Sequence, residues 1–319
     1  MINFRFHLAS LVAIFLALAL GVVIGAGVID RGVVDALDSR LDRVQANSDR
    51  IEGDNAVLEG ELGGLNGDLA ALGPVAVKNK LVNADVGIVA VRGVDGDRID
   101  QTVDLLTWGG ANVTGILWLE SSWTLDDDEQ VQAMAEAIGS SSDKPNVLRA
   151  QAWDEMAERM QNPVLPGETV PEALDDVIVR LRDAGFLGFD TVEGQTTGIE
   201  QFPGIVPSLV LAVGSDGEVP TDDVLMDAAS AVTGVDIPLT VGDVYDAEAA
   251  DAGERGSDLA PLRDTPLSET VSTVNDLDRS IGPVTVVLAV ADLLRIPPVV
   301  GHYGTGDDSV QRLPELSTS

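Results

Sequence analysis

The chain has no cysteine among its 319 residues, and it is poor in histidine and lysine. Without cysteine there are no disulfides, no thiolate metal ligands and no cysteine nucleophile. The histidines are His7 and His302, so a histidine-based triad would depend on His302 alone, and no G-x-S-x-G motif accompanies it. Lysine occurs only at positions 78, 80 and 144.

Positive charge is scarce as a whole. The 53 acidic and 19 basic residues give a net charge of −34. Such a field repels the phosphates of nucleic acids and anionic lipid headgroups, which excludes a nucleic-acid function. High charge also keeps a protein soluble, and an acidic, salt-adapted proteome or a cationic partner is consistent with it.

The motifs of nucleotide and metal enzymes are absent too. The turn after the apolar run 86–91 reads GVDGD at 93–97, which is neither GxGxxG nor a Walker sequence. The acidic run 126–129 lacks the interleaved carboxylates and central glycine of an EF-hand, and acids are common where a helix begins. The sequence therefore predicts a non-catalytic protein without a resident cofactor.

What is present begins with an uncharged run at positions 8–29, after a short segment 1–7. As a helix at about 1.5 Å per residue, the run reaches roughly 33 Å, enough to cross a membrane. A cleavable signal peptide is the alternative, although its apolar core usually covers only about 7–15 residues. Arg5 and His7 precede the run, which predicts a cytoplasmic N-terminus and an extracytoplasmic main domain.

The segment 30–72 carries apolar residues at alternating spacings of three and four, the heptad pattern of a left-handed coiled coil. Because both helices would be tethered to one membrane, we predict a parallel homodimer or higher oligomer, with Asn55 at an a position favouring one register. An amphipathic helix folded back on its own domain is the alternative. The predicted dimer seam consists of Val34, Leu37, Leu41, Val44, Ile51, Asn55, Leu58, Leu62, Leu65, Leu69 and Leu72.

Gly73 and Pro74 predict the end of this helix. Over 75–306, short apolar runs alternate with amphipathic segments, which predicts an α/β domain with a mostly parallel sheet and helices on both faces. The predicted strands are 86–91, 113–119, 209–213, 237–241 and 284–290, and predicted helices include 97–108, 152–160 and 171–184. The polar residues 307–319 are expected to form a disordered tail.

Three segments near the C-terminus are distinctive: STVNDLD at 272–278, TVVLAVADLL at 285–294 and GHYGTG at 301–306. Together with the apolar run and the heptads, they resemble the actinobacterial copper-transport protein B family, MctB. The resemblance implies a single-pass envelope protein, sometimes assigned to the outer membrane, with a role in copper transport or homeostasis as a pore component or an accessory. It also implies a link to septal cell-wall assembly, and it defines no catalytic residues.

Ligands suited to copper are few in this chain. Copper(I) prefers thiolates and thioethers, and copper(II) prefers imidazole. Met156 and Met160 lie at i and i+4 of a predicted helix, with core packing as the alternative role. His302 lies in the glycine-rich GHYGTG segment, for which a ligand-binding loop and a tight structural turn are the alternatives. Copper is expected as a transported ion.

The sequence therefore supports two functions. The resemblance favours a copper-homeostasis component of the envelope. The heptads favour a dimeric coiled-coil adaptor that presents its domain to cell-wall assembly or division enzymes.

Overall fold

The computed structural model describes residues 4–162, 176–194, 198–205, 207–249, 253–305, 309, 311 and 313–314, and for 26–34 it describes only the backbone. The chain divides into two compact units, Met1–Leu65 and Asn66–Ser319. Helix α1, Phe4–Val77, begins in the first unit. Within the described part of the chain, its segment Phe4–Gly25 is the one helix long and apolar enough to cross a membrane.

The prediction that α1 stops at Gly73 and Pro74 is wrong, because the helix continues to Val77 with Pro74 inside it. A proline removes one backbone hydrogen bond of a helix, but packing of the last turn compensates for that loss. Val77 is fully buried. A Cβ atom at Gly73 would lie 3.3 Å from the side chain of Leu105 and 3.2 Å from that of Val284, so the helix end packs closely against its domain.

The second unit is built on a seven-stranded sheet with the order β3-β2-β1-β4-β5-β6-β7. All neighbouring strands are parallel except β2 and β3, as the predicted mostly parallel sheet requires. The strands are β1 Asp85–Val91, β2 Asn112–Leu119, β3 Leu187–Asp190, β4 Pro207–Gly214, β5 Leu239–Val244, β6 Val271–Val274 and β7 His302–Tyr303. The helices are α2 Gly96–Trp108, α3 Asp128–Ile138, α4 Pro145–Gln161, α5 Val177–Asp183, α6 Leu225–Gly234, α7 Ala260–Arg263 and α8 Gly282–Leu293.

Helices flank the sheet in two groups. The connections β1-α2-β2 and β4-α6-β5 run in opposite directions across the sheet, and right-handed crossovers then place α2 and α6 on opposite faces. Helix α8 packs against α2, and α4 packs against α6. Every residue of β5 and β6 is buried, as expected for strands covered on both sides.

The prediction of a strand at 284–290 is wrong, because these residues form α8. The run is buried along nearly its whole length, so it has no polar face from which a helical period can be seen. Gly282 and Pro283 precede it, and a proline in the first turn suits the start of a helix.

Several elements differ in extent from the prediction. Strands β3, β6 and β7 have only two to four residues each, too few for a pattern to reveal them. Helix α4 begins at Pro145, seven residues before the predicted start. The predicted helix start at 171 lies outside the described residues, and so does most of the tail 307–319.

Candidate functional site

The two C-terminal sequence motifs lie side by side because β6 and β7 are parallel neighbours. Thr273 pairs with His302 in the ladder. One residue beyond β6, the N–H of Asn275 donates to the carbonyl of Tyr303 at 3.1 Å. Both motifs therefore meet at the carboxyl edge of the sheet, where open α/β sheets usually place their ligand sites.

Asn275 holds the turn that follows β7. Its Oδ1 accepts from the backbone N–H of Thr305 at 3.1 Å, and its Nδ2 donates to the Ser309 hydroxyl at 3.0 Å. Gly304 has φ +128°, and a Cβ atom there would overlap the Asn275 side-chain oxygen. This turn therefore requires glycine for both its backbone conformation and its close contact.

Arg255 clamps the acidic end of the first motif. Its two terminal nitrogens donate to the two carboxylate oxygens of Asp278 at 2.5 and 2.9 Å, and one of them also reaches Asp276 at 3.3 Å. Thr305 donates its hydroxyl to Asp276 at 2.8 Å. The guanidinium lies 4.5 Å from the ring centre of Tyr245, in cation–π geometry. The hydrogen bond to Asp278 raises the pKa of Arg255.

Asp243 lies on β5 below this clamp and is only 1% exposed. Among the described residues neither of its carboxylate oxygens has a hydrogen-bond partner. Burial, followed by the nearby charges of Asp258 and Asp278, raises its pKa to about 8. Asp243 is therefore mostly a neutral carboxylic acid at pH 7, because the charged form would be desolvated without a partner.

We call the set Asp243, Arg255, Asn275, Asp276, Asp278 and Thr305 the motif cluster. The cluster offers few polar groups to a ligand, because the carboxylates of Asp278 and Asp276 already accept hydrogen bonds from Arg255 and Thr305. Within the described parts of the chain, no group of three or more His, Cys, Asp or Glu side chains converges on a position for a metal ion. The cluster is therefore suited to fixing the sheet edge and to holding a proton on Asp243.

His302 is hydrogen-bonded through both ring nitrogens. Nε2 lies 3.2 Å from the Ser268 carbonyl, which can only accept, so Nε2 carries the proton. Nδ1 then accepts from the Thr273 hydroxyl at 2.9 Å. Burial, together with the positive charge of Arg263, lowers the pKa of His302. A metal ion would have to displace one of these hydrogen bonds.

Met156 and Met160 lie on the buried side of α4. Both side chains have no exposed surface, and the neighbouring Trp153 is also buried. Copper(I) would reach this thioether pair only through an opening of the core. Their position therefore favours the packing role over the ligand role.

The predicted seam residues lie along α1. Leu37, Leu41, Val44, Ile51, Leu58, Leu62, Leu65 and Leu72 are exposed large apolar side chains in the single chain, Asn55 is exposed and Leu69 is half-buried. The side chain of Val34 lies outside the described residues. A long row of exposed leucines of this kind is typical of a surface that associates with another protein.

The crevice between β1 and β4, where the strand order reverses, is filled by the chain itself. The N–H of Glu218 donates to the carbonyl of Arg92 at 2.7 Å, so the loop after β4 lies on the end of β1. A Cβ atom at Gly93 would meet the backbone oxygen of Asp216 at 2.9 Å. Among the described residues, the loop after β4 therefore occupies the position at which open α/β sheets usually bind a ligand.

A cavity lies beside β7, the edge strand of the sheet. This cavity of about 470 Å³ adjoins β7 and the end of α8, and it is lined by Asp292, Arg295, Val299, Val300, Gly301, His302, Tyr303 and Gln311. The Tyr303 side chain is almost fully buried, and burial raises its pKa to about 12. Within the described residues 301–305, Gly304 and Thr305 thus form a structural turn, and Gly301, His302 and Tyr303 line the cavity.

Two members of the motif cluster were missed in the sequence. Arg255 is the one basic residue in the acidic stretch 243–258, and Asp243 is the one charged residue of β5. A lone charge of this kind signals a buried pair or a buried acid, but the sequence does not reveal which partners it has.

Comparison with known proteins gives a consistent result. The family described as "Copper transport outer membrane protein, MctB" matches residues 1–314. The chain is similar to the "Copper transporter MctB" of Mycobacterium leprae, with 30% identity over 96% of this chain and 97% of that protein. It is 26% identical to the "Copper transporter MctB" of Mycobacterium tuberculosis over the same shares of the two chains.

Proposed function

The chain belongs to the MctB family, and from that premise we propose that it is a membrane-anchored, non-catalytic accessory of copper transport in the cell envelope. The observation that carries the proposal is the family match over residues 1–314, which includes both the apolar segment and the sheet domain. Similar proteins named as copper transporters align over nearly their whole length.

An accessory role fits the architecture better than a pore. The described chain contributes one helix that can span a membrane, and one helix per subunit encloses no channel by itself. The described residues of β5 and β6 are buried throughout, so these two strands do not line a water-filled path. Copper is then the substrate of the pathway rather than a resident ion of this chain.

The proposal includes a parallel dimer with a cytoplasmic N-terminus and an extracytoplasmic sheet domain. Exposed leucines in heptad register along α1 support the dimer, because association would bury them. Arg5 and His7 before the apolar segment support the orientation.

A second candidate is the adaptor for cell-wall assembly or division enzymes. The loop between α8 and β7 favours it, because Ile296 is fully exposed beside Pro297 and Pro298. An apolar tip of this kind suits contact with another protein. Capture of an envelope protein by the full-length chain, lost with Ile296→Asp but kept with Ile205→Asp at another exposed isoleucine, would favour this candidate.

The copper proposal is tested by deleting the gene and measuring cell-associated copper and copper tolerance. We expect the deletion strain to accumulate copper and to lose tolerance, with both restored by the wild-type gene. Unchanged copper content and tolerance in the deletion strain would contradict the proposal and leave the adaptor role.

A further inference from the structure

We propose that the dimer contact continues beyond the coiled coil onto the sheet domain, where Val75 of one copy packs against Trp108 of the second copy. The inference rests on the proposed parallel dimer and adds a surface that the heptads do not contain. We call the exposed side chains Leu72, Val75, Val82 and Trp108 the base patch.

The first observation is that the base patch is apolar and exposed. Trp108 is 63% exposed and Val75 is 70% exposed, while Leu72 and Val82 are more than half exposed. Tryptophan is one of the residue types most enriched at the centres of protein interfaces. An exposed tryptophan among aliphatic side chains is therefore typical of a surface that binds another protein.

The second observation is that the elements carrying these four side chains are neighbours. The Leu81 N–H donates to the carbonyl of Gly109 at 2.8 Å, so the loop carrying Val82 lies against the end of α2. A Cβ atom at Gly110 would lie 3.1 Å from a methyl group of Val82. Leu105, one turn before Trp108, faces Gly73 of α1, and Val75 follows two residues later.

The third observation is the heptad register, which identifies a second copy as the occupant. With Leu69 at a and Leu72 at d, Gly73 is an e position and Val75 is a g position. In a parallel coiled coil, g residues of one helix face e positions of the other. The e side of α1 here is the side that carries α2, because Gly73 packs on Leu105. Val75 therefore points towards α2 of the second copy.

The absence of native cysteine allows a direct test by cross-linking the full-length protein in membranes. The double variant Val75→Cys/Trp108→Cys is treated with a short bismaleimide, since contact through an indole exceeds the roughly 7 Å limit of a disulfide. We expect several times more covalent dimer than in either single variant. The matched control is Val75→Cys/Ile205→Cys, because Ile205 is about as exposed as Trp108 but lies outside the patch.

Two further variants separate this inference from the dimer itself. Leu58→Cys reports on the coil, and Val75→Cys/Val82→Cys replaces the double variant if loss of Trp108 impairs folding. The inference would be overturned if Leu58→Cys forms covalent dimer but neither double variant in the base patch forms more of it than its single variants and the control. The coiled-coil dimer would then stand without the added contact. Failure of Leu58→Cys as well would overturn both.

Discussion

At the residue scale, the motif cluster combines one strong clamp with one poorly solvated acid. Arg255 is bound to Asp278 through two hydrogen bonds, a geometry that fixes both side chains. Asp243 has no such partner among the described residues, so its proton is retained to about pH 8. Ionisation of Asp243 therefore lowers the free energy of unfolding, and this loss grows as pH rises.

Replacing this acid tests the assignment. Because the pKa of Asp243 is raised on folding, the wild-type protein loses stability as pH rises from about 4 to about 8. Asp243→Asn stays neutral, so we expect it to be more stable than wild type near pH 8, by about 2 kcal/mol or roughly 4–8 °C. Near pH 4 the difference should nearly vanish. Thermal unfolding followed by tryptophan fluorescence measures both, and a difference independent of pH would contradict the raised pKa.

The turn at Gly304 offers a second test. Gly304→Ala places a Cβ atom on a backbone with positive φ, where it also overlaps the Asn275 side chain. We therefore expect the free energy of unfolding to fall by at least about 2 kcal/mol. The control is Gly139→Ala, where φ is also positive but a Cβ atom has open space, and about 1 kcal/mol should be lost. Urea unfolding compares the two, and equal losses would show that the Asn275 contact does not matter.

The methionine pair gives a third prediction. Met156 and Met160 are fully buried in α4, so Met156→Leu/Met160→Leu should preserve copper handling with little change in stability. Cell-associated copper in the complemented deletion strain is the measurement. Copper accumulation at a normal level of folded protein would instead assign these sulfurs a role as copper ligands.

At the element scale, the sequence predicted most elements with a clear period or clear boundaries. The strands β1, β2 and β4 appear within two residues of their expected ends, because apolar runs bounded by turn residues are specific for buried strands. α8 was mistaken for a strand because burial on all sides removes the polar face that distinguishes the two. The extension of α1 past Pro74 depends on packing against Leu105 and Val284, a tertiary contact that local residues do not encode.

The candidate site was predictable only in part. Its motif residues 272–278 and 301–306 were singled out, but their meeting depends on the pairing of β6 with β7, which no local pattern reveals. The other cluster members, Asp243 and Arg255, come from other parts of the chain, and only the folded sheet brings them close to the motifs.

Helix α1 carries the fourth prediction. Leu58 is a seam position and Val57 is not, although the two side chains are similarly exposed in the single chain. Leu58→Asp places charge in the seam and should shift the full-length protein towards monomer, whereas Val57→Asp should leave the dimer intact. Light scattering in detergent measures the mass of each. A dimer that survives Leu58→Asp unchanged would contradict the predicted seam.

At the scale of the whole molecule, the chain combines one apolar segment, a long helix and a strongly acidic α/β domain. Its membership of the MctB family connects that architecture to copper. Among the described residues no three His, Cys, Asp or Glu side chains converge on a metal position, and the proposed copper role rests on the family match.

The most direct test measures whether copper handling depends on the dimer seam. The deletion strain is complemented with wild type, Val57→Asp or Leu58→Asp at matched protein levels, and cell-associated copper is measured under copper stress. We predict normal cell-associated copper with wild type and Val57→Asp, and copper accumulation with Leu58→Asp. Normal copper with Leu58→Asp, in cells where that variant is monomeric, would contradict the claim that this protein handles copper as a seam-dependent dimer.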